Sequence, residues 1–300
     1  MNTLNIKRSY SRLSLSAVIA LSAAVVSAPA AEAANFTLNF DQSADGGAVL
    51  YNADGTLNTT QWANWGLTNI SGMNNRQQNG QPRVAKFNTY NTDDHQNTVD
   101  PDLRTGSPWG TQSQGNVLII QEDTSKNFKN GRYIADDEAQ GGYINFDFAR
   151  SVAFNSFSLL DIDDNGRGIK IEGYDSSNQK ILNIDVDALL AEHTARYNTT
   201  NSQLTAAAQG TSVSMNGVTL TQLGTKRGDN SLYRFDIDEA FLANVRFTYP
   251  GSGAISGVKW TTHDDETRDI PEPSAVGGLL MVGFVGARRY LKNQQSAKNA

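Results

Sequence analysis

From Tyr143 to Phe148 apolar and polar residues alternate strictly, and after Ala149-Arg150-Ser151 an apolar pattern resumes from Val152 towards Asp161. Period two belongs to a strand with one wet face; a helix returns its apolar residues every three or four positions. Similar short runs recur at 36–40, 83–88, 116–121, 168–174, 180–184, 212–222, 232–237, 245–249 and 254–262. Between them stand turn formers such as Asp54-Gly55, Asp164-Asn165-Gly166, Asp175 to Asn178 and Gly251-Ser252-Gly253. Helical spacing is confined to 59–65 and 187–197. The pattern predicts an all-β fold, a two-sheet antiparallel β-sandwich of jelly-roll type with one or two short helices. Leu118, Ile120, Phe146, Phe148, Leu159, Ile169 and Ile171 are the expected core, and the polar stretch 198–210 a surface insertion.

Both ends read as processing signals rather than fold. Lys7, Arg8 and Arg12 precede an apolar run over 13–26, and Ala31-Glu32-Ala33 supplies an A-x-A cleavage site. That order is a secretory signal peptide over 1–33; the serine-broken run falls short of the roughly 20 apolar residues of a spanning helix. The folded domain is expected at 34–267. Pro271-Glu272-Pro273 follows, then an apolar run from Ala275 to Ala287 with four glycines, then Arg288 and Arg289. This C-terminal segment, 268–293, is expected to form a hydrophobic helix that dwells in the inner membrane transiently, its basic cluster on the cytoplasmic side. A polar tail, 294–300, closes the chain.

Of 25 basic and 31 acidic residues, 7 and 2 lie before position 34 or after position 271, leaving 18 against 29 in between, a net charge near −11. Such a surface repels phosphate backbones, so nucleic acid is not an expected partner. The absence of cysteine excludes thiol nucleophiles, thiol redox chemistry and zinc–thiolate sites.

The Pro-Glu-Pro motif, apolar run and basic cluster, in that order at the C-terminus behind a signal peptide, resemble the PEP-CTERM sorting signal of Gram-negative bacteria and cyanobacteria. The resemblance implies cutting near Pro271, Glu272 and Pro273 by an exosortase-like enzyme, after signal peptidase has cut at Ala33. The body resembles a recurrent domain, without an assigned activity, of exported proteins that carry this tail. Asp100-Pro101-Asp102-Leu103, Gly115 to Glu122, Asp136-Asp137-Glu138-Ala139 and Gly141-Gly142 carry that likeness, with Leu159 to Asp163, Gly228-Asp229-Asn230-Ser231 and Gly251 to Ile255. It implies a secreted β-sandwich at the cell surface or in the extracellular matrix, and brings no catalytic residues across.

The stretch DIDDNGRGIKIE, Asp161 to Glu172, meets every specified position of the EF-hand calcium loop. Its flanks have strand character, however, which predicts a hairpin that carries Glu172 away from the turn. Calcium remains the expected ion for Asp161, Asp163 and Asp164, joined by Asp100 and Asp102 if two acidic loops meet at one rim; solvated acidic turns are the plainer reading. Asp136, Asp137 and Glu138 form a similar cluster. Trp109 and Trp62 are candidate ligand residues, since a flat indole beside amides and carboxylates suits a polysaccharide. Alternatively, Trp62 and Trp65 pin one short helix to the domain. His95, His193 and His263 are expected at the surface, in no metal-ligand spacing. A non-enzymatic surface protein is the leading expectation, a secreted glycan-active hydrolase the alternative.

Overall fold

The computed structural model describes residues 33–54, 56–76, 84–90, 101–122, 128–129, 132–162, 168–198 and 202–262. The signal peptide, the sorting tail with its expected helix, and Asp100, Asp163 and Asp164 lie outside them.

The described chain is mostly β, with strands β1 (Ala34–Leu38), β2 (Leu67–Asn74), β3 (Val84–Asn88), β4 (Asn116–Ile120), β5 (Phe128–Lys129), β6 (Arg132–Tyr133) and β7 (Gly142–Leu160). There follow β8 (Lys170–Tyr174), β9 (Lys180–Asp185), helices α1 (Val186–Tyr197) and α2 (Ser202–Ala207), β10 (Ser212–Met215), β11 (Val218–Gln222), β12 (Leu232–Ile237), β13 (Phe241–Tyr249) and β14 (Ala254–Thr262). Apart from the β5–β6 ribbon, the strands form one large antiparallel sheet.

Strand β7 organises it. Its first half lies between β2 and β13, with Phe146 opposite both Ile70 and Val245. Its second half lies between β12 and β14, with Phe157 opposite both Phe235 and Val258. The exposed Ala149 and Arg150 mark the change of partners. Beyond β13 the ladder continues through β8 to β9, and beyond β12 through β11 to β10. β14 carries β1 along one part and β4, followed by β3, along another.

Alternation assigns each side chain to a face. Leu118, Leu159, Tyr233 and Ile255 join the main apolar core, where Phe157 stacks on Phe235 at 4.7 Å between ring centres and meets Phe247 edge-on at 5.1 Å. Their neighbours Ile119, Leu160, Leu232 and Ala254 point to the other face and bury with Val117, Phe87 and Leu103 in a second cluster. The continuous run Val117 to Ile120 is therefore a strand buried on both faces. Leu103, fully buried there, is the plug that fixes the loop before β4 against the sheet. The seven expected core residues are all buried.

Three expectations are corrected. The connection from β7 to β8 is not a hairpin: β8 pairs with β13 and β9, whereas the end of β7 pairs with β12 and β14. The stretch 198–210 is not simply a surface insertion, because it holds α2, and Thr205 and Ala208 are buried. His193 is not at the surface; it lies in α1 at 1% exposure.

Candidate functional site

The loop plugged by Leu103 runs through a 3-10 turn, Ser107–Trp109, started by Pro108 and ended at Gly110, whose N–H returns to the Ser107 carbonyl. Gly110 is required twice over: its φ is +75°, and a Cβ there would meet Thr225 Oγ1 at 2.1 Å. Thr225 N donates to the Gly110 carbonyl at 2.7 Å, which ties this loop to the segment joining β11 to β12.

Asn230 makes the stronger tie. It sits at φ +63° and is buried, and its Nδ2 donates towards three carbonyls, Pro101 at 2.8 Å, Asp102 at 2.7 Å and Arg104 at 3.0 Å. Its own N–H also reaches the Asp102 carbonyl at 2.9 Å. One side chain thus ties three carbonyls within residues 101–104 of a distant loop. The αL backbone that this position demands is one that asparagine tolerates well.

Between the two loops lies a cleft of about 540 Å³, lined by Pro101, Asp102, Trp109, Lys226, Arg227 and Gly228 together with Asp229 and Asn230. Trp109 is half-buried. The Arg104 guanidinium and the Lys226 ammonium approach its ring at 5.4 and 5.3 Å from the centroid, within cation–π range. Lys226 Nζ also lies 3.5 Å from Asn230 Oδ1, at the limit of a hydrogen bond. Arg227 is exposed, and one of its guanidinium nitrogens donates to Thr194 Oγ1 on α1.

Of the residues singled out in the sequence, Asp102 and Trp109 come together in this cleft. Trp62 does not belong there. It is fully buried, with Nε1 donating to the Gln42 carbonyl at 2.9 Å and its ring edge-on to Phe40, so it has no face for a ligand. Trp65, stacked 5.8 Å from Phe36, closes the same 3-10 turn, and the pair anchor that turn.

Asp161 ends β7 at φ +57° with 2% exposure. Its N–H donates to the Ser231 carbonyl at 2.9 Å, next to the Asn230 clamp, and Ser252 Oγ donates to its Oδ2 at 2.9 Å. The adjacent Gly253 N–H donates to Asp137 Oδ2 at 3.0 Å, and Glu138 N–H to the Ile120 carbonyl at 3.0 Å. A hydrogen-bonded seam therefore runs from the Asp102 loop through 228–231, Asp161 and 252–253 to the 136–138 segment. Among the described residues no three or more His, Asp or Glu gather as a metal-binding group. Glu172 is engaged within its sheet: Lys180 Nζ donates to Oε1 at 2.8 Å and Tyr174 OH to Oε2 at 3.2 Å. The lysine hydrogen bond holds the Glu172 carboxyl below its ordinary range.

Sequence reasoning missed Asn230, Lys226 and Arg227 as site residues. The signal for Asn230 was present in Gly228-Asp229-Asn230, a turn sequence with an asparagine able to take αL; the two cations carry no motif at all. No family model, curated protein or solved structure matches this chain.

Proposed function

We propose that the chain is an exported, non-enzymatic binding module of the cell surface or extracellular matrix, whose cleft between 101–109 and 226–230 takes an extracellular polysaccharide. The observation that carries the reading is the cleft itself: an indole, carboxylates and cations on loops locked by Asn230 and Leu103, a pre-formed polar concavity of ligand size. In this reading the two ladders that share β7 close over the aromatic core as a jelly-roll-like sandwich, with the loops at one rim. The N-terminal 1–33 is removed by signal peptidase. The tail holds the protein in the inner membrane until an exosortase-like enzyme cuts it near Pro271–Pro273.

The test is made on the native host. The protein should be recovered with the extracellular polysaccharide, its C-terminal peptide ending near Pro271–Ser274, and the polysaccharide should keep its length on incubation with it. Recovery in the cytoplasm, or of peptides through Lys292 from the surface fraction, would contradict the reading. The alternative, a secreted glycan hydrolase, draws on Asp102 and Asp229, two carboxylates in the cleft lining. Chain shortening that Asp102→Asn or Asp229→Asn abolishes would establish it instead.

Calcium at Asp161, Asp163 and Asp164 belongs to the same proposal. It is supported by the crowding of carboxylates in that stretch and by Asp161 standing on the seam that reaches the cleft loop. An ion that binds only the native state raises stability by about 2.7 kcal/mol at a hundred times its Kd. Melts in calcium and in chelator should therefore separate, by less in Asp163→Asn. Coincident melts of the wild type would remove the ion from the account.

A further inference from the structure

We infer that the cleft selects an acidic polysaccharide, one whose repeating unit carries a carboxylate, and that Lys226 and Arg227 read that carboxylate. The inference rests on the polysaccharide-binding reading above and narrows its ligand class.

Outside the cleft, Arg246 lies 4.7 Å over the Tyr143 ring, whereas four other cations are paired with carboxylates. Arg76 reaches Glu122 at 2.7 Å and Glu138 at 3.1 Å, Lys180 reaches Glu172 at 2.8 Å, Arg196 reaches Glu192 at 2.6 Å, and Arg234 reaches Asp236 at 2.9 Å. At the cleft two cations share one ring. Neither Lys226 nor Arg104 forms an ion pair among the described residues; both are set against the Trp109 ring, and Lys226 also lies near the Asn230 amide oxygen. These contacts fix the two cations without cancelling their charge. Like charges held at one ring repel each other, and an anion entering the cleft relieves that repulsion.

Trp109 is thereby a platform for the protein's own cations rather than a bare face for a pyranose. The rest of the lining sets the kind of anion. Asp102 and Asp229 line the cleft with Lys226 and Arg227, so the lining is nearly balanced in charge. A densely charged polyanion meets repulsion from the two carboxylates. A sugar unit with one carboxylate offers its charge to the cations and donates its hydroxyls to Asp102 and Asp229. The cleft, at about 540 Å³, exceeds a single inorganic anion and suits a sugar unit.

The test is affinity electrophoresis of the full chain through gels that contain polygalacturonate, dextran sulfate or neutral dextran. Polygalacturonate should retard the wild type most and dextran not at all. Lys226→Gln and, independently, the exposed Arg227→Gln should each weaken retardation by about tenfold or more. Lys226→Arg should retain it, and Lys259→Gln, an exposed cation outside the cleft lining, should leave it unchanged. Equal retardation by dextran, unaffected by either glutamine variant, overturns the acidic selection and leaves polysaccharide binding standing. Stronger retardation by dextran sulfate than by polygalacturonate means attraction by charge alone and also overturns it. No retardation in any gel removes the polysaccharide reading itself.

Discussion

At the scale of single residues, the described domain sets polar side chains to structural tasks that their type does not announce. His193 is the clearest. The Thr211 hydroxyl donates to the Ala208 carbonyl, so its oxygen is left to accept from His193 Nε2–H at 2.9 Å. The ring is packed 4.9 Å from Tyr197 and edge-on to Tyr233. Burial pushes its pKa below the ordinary 6.5; a hydrogen bond with the Thr211 backbone opposes that shift, and the charge on Arg227 adds to it. The neutral imidazole is thus the folded form. As pH falls through about 6.5 the unfolded chain takes up a proton that the folded chain refuses, and stability declines until the folded-state group titrates in turn. The melting temperature should drop between pH 7.5 and pH 5.5, and His193→Gln, which keeps an N–H donor, should flatten that drop. An unchanged slope in the variant would show that other groups set it.

At the scale of elements, β7 carries the fold, because its two halves pair with different neighbours and its side chains reach both apolar clusters. Leu159 is fully buried in the main core, so Leu159→Ala should cost about 2–5 kcal/mol in urea unfolding. A loss under about 0.5 kcal/mol would mean that the neighbours collapse into the space. Strands whose alternation is clean, such as β12 and β14, were legible in the sequence to the residue. Where reading failed, a physical cause is visible. β2 was missed because Thr68, Asn69, Ser71 and Asn74 dilute it and a bulge between Leu67 and Asn69 breaks its period. The run 212–222 reads as one strand in the sequence, but Asn216 and Gly217, at φ +51° and +76°, turn it into the hairpin of β10 and β11. β7 reads as two strands in the sequence because a polar break looks alike whether the chain turns or merely changes partners. In the site, Asp102 and Trp109 were legible as residue types on a loop. The Asn230 clamp was not, since its carbonyl partners lie 126 to 129 positions away.

At the scale of the whole molecule, segments far apart in the sequence are joined by hydrogen bonds across the fold. Asn230 holds 101–104, Ser231 holds Asp161, and the 252–253 turn holds Asp161 and Asp137. The first and last described strands are also paired, with Ala34 opposite Thr262. We propose that the cleft on this scaffold is the polysaccharide site. Amide hydrogen exchange of the full chain, with and without purified extracellular polysaccharide, tests it most directly. Ligand contact and the stiffening it brings should slow exchange in peptides covering 101–111 and 224–231, with little change in the β2, β13 and β8 ladder. Protection centred on that ladder, or none in the two cleft loops at saturating polysaccharide, would contradict the account.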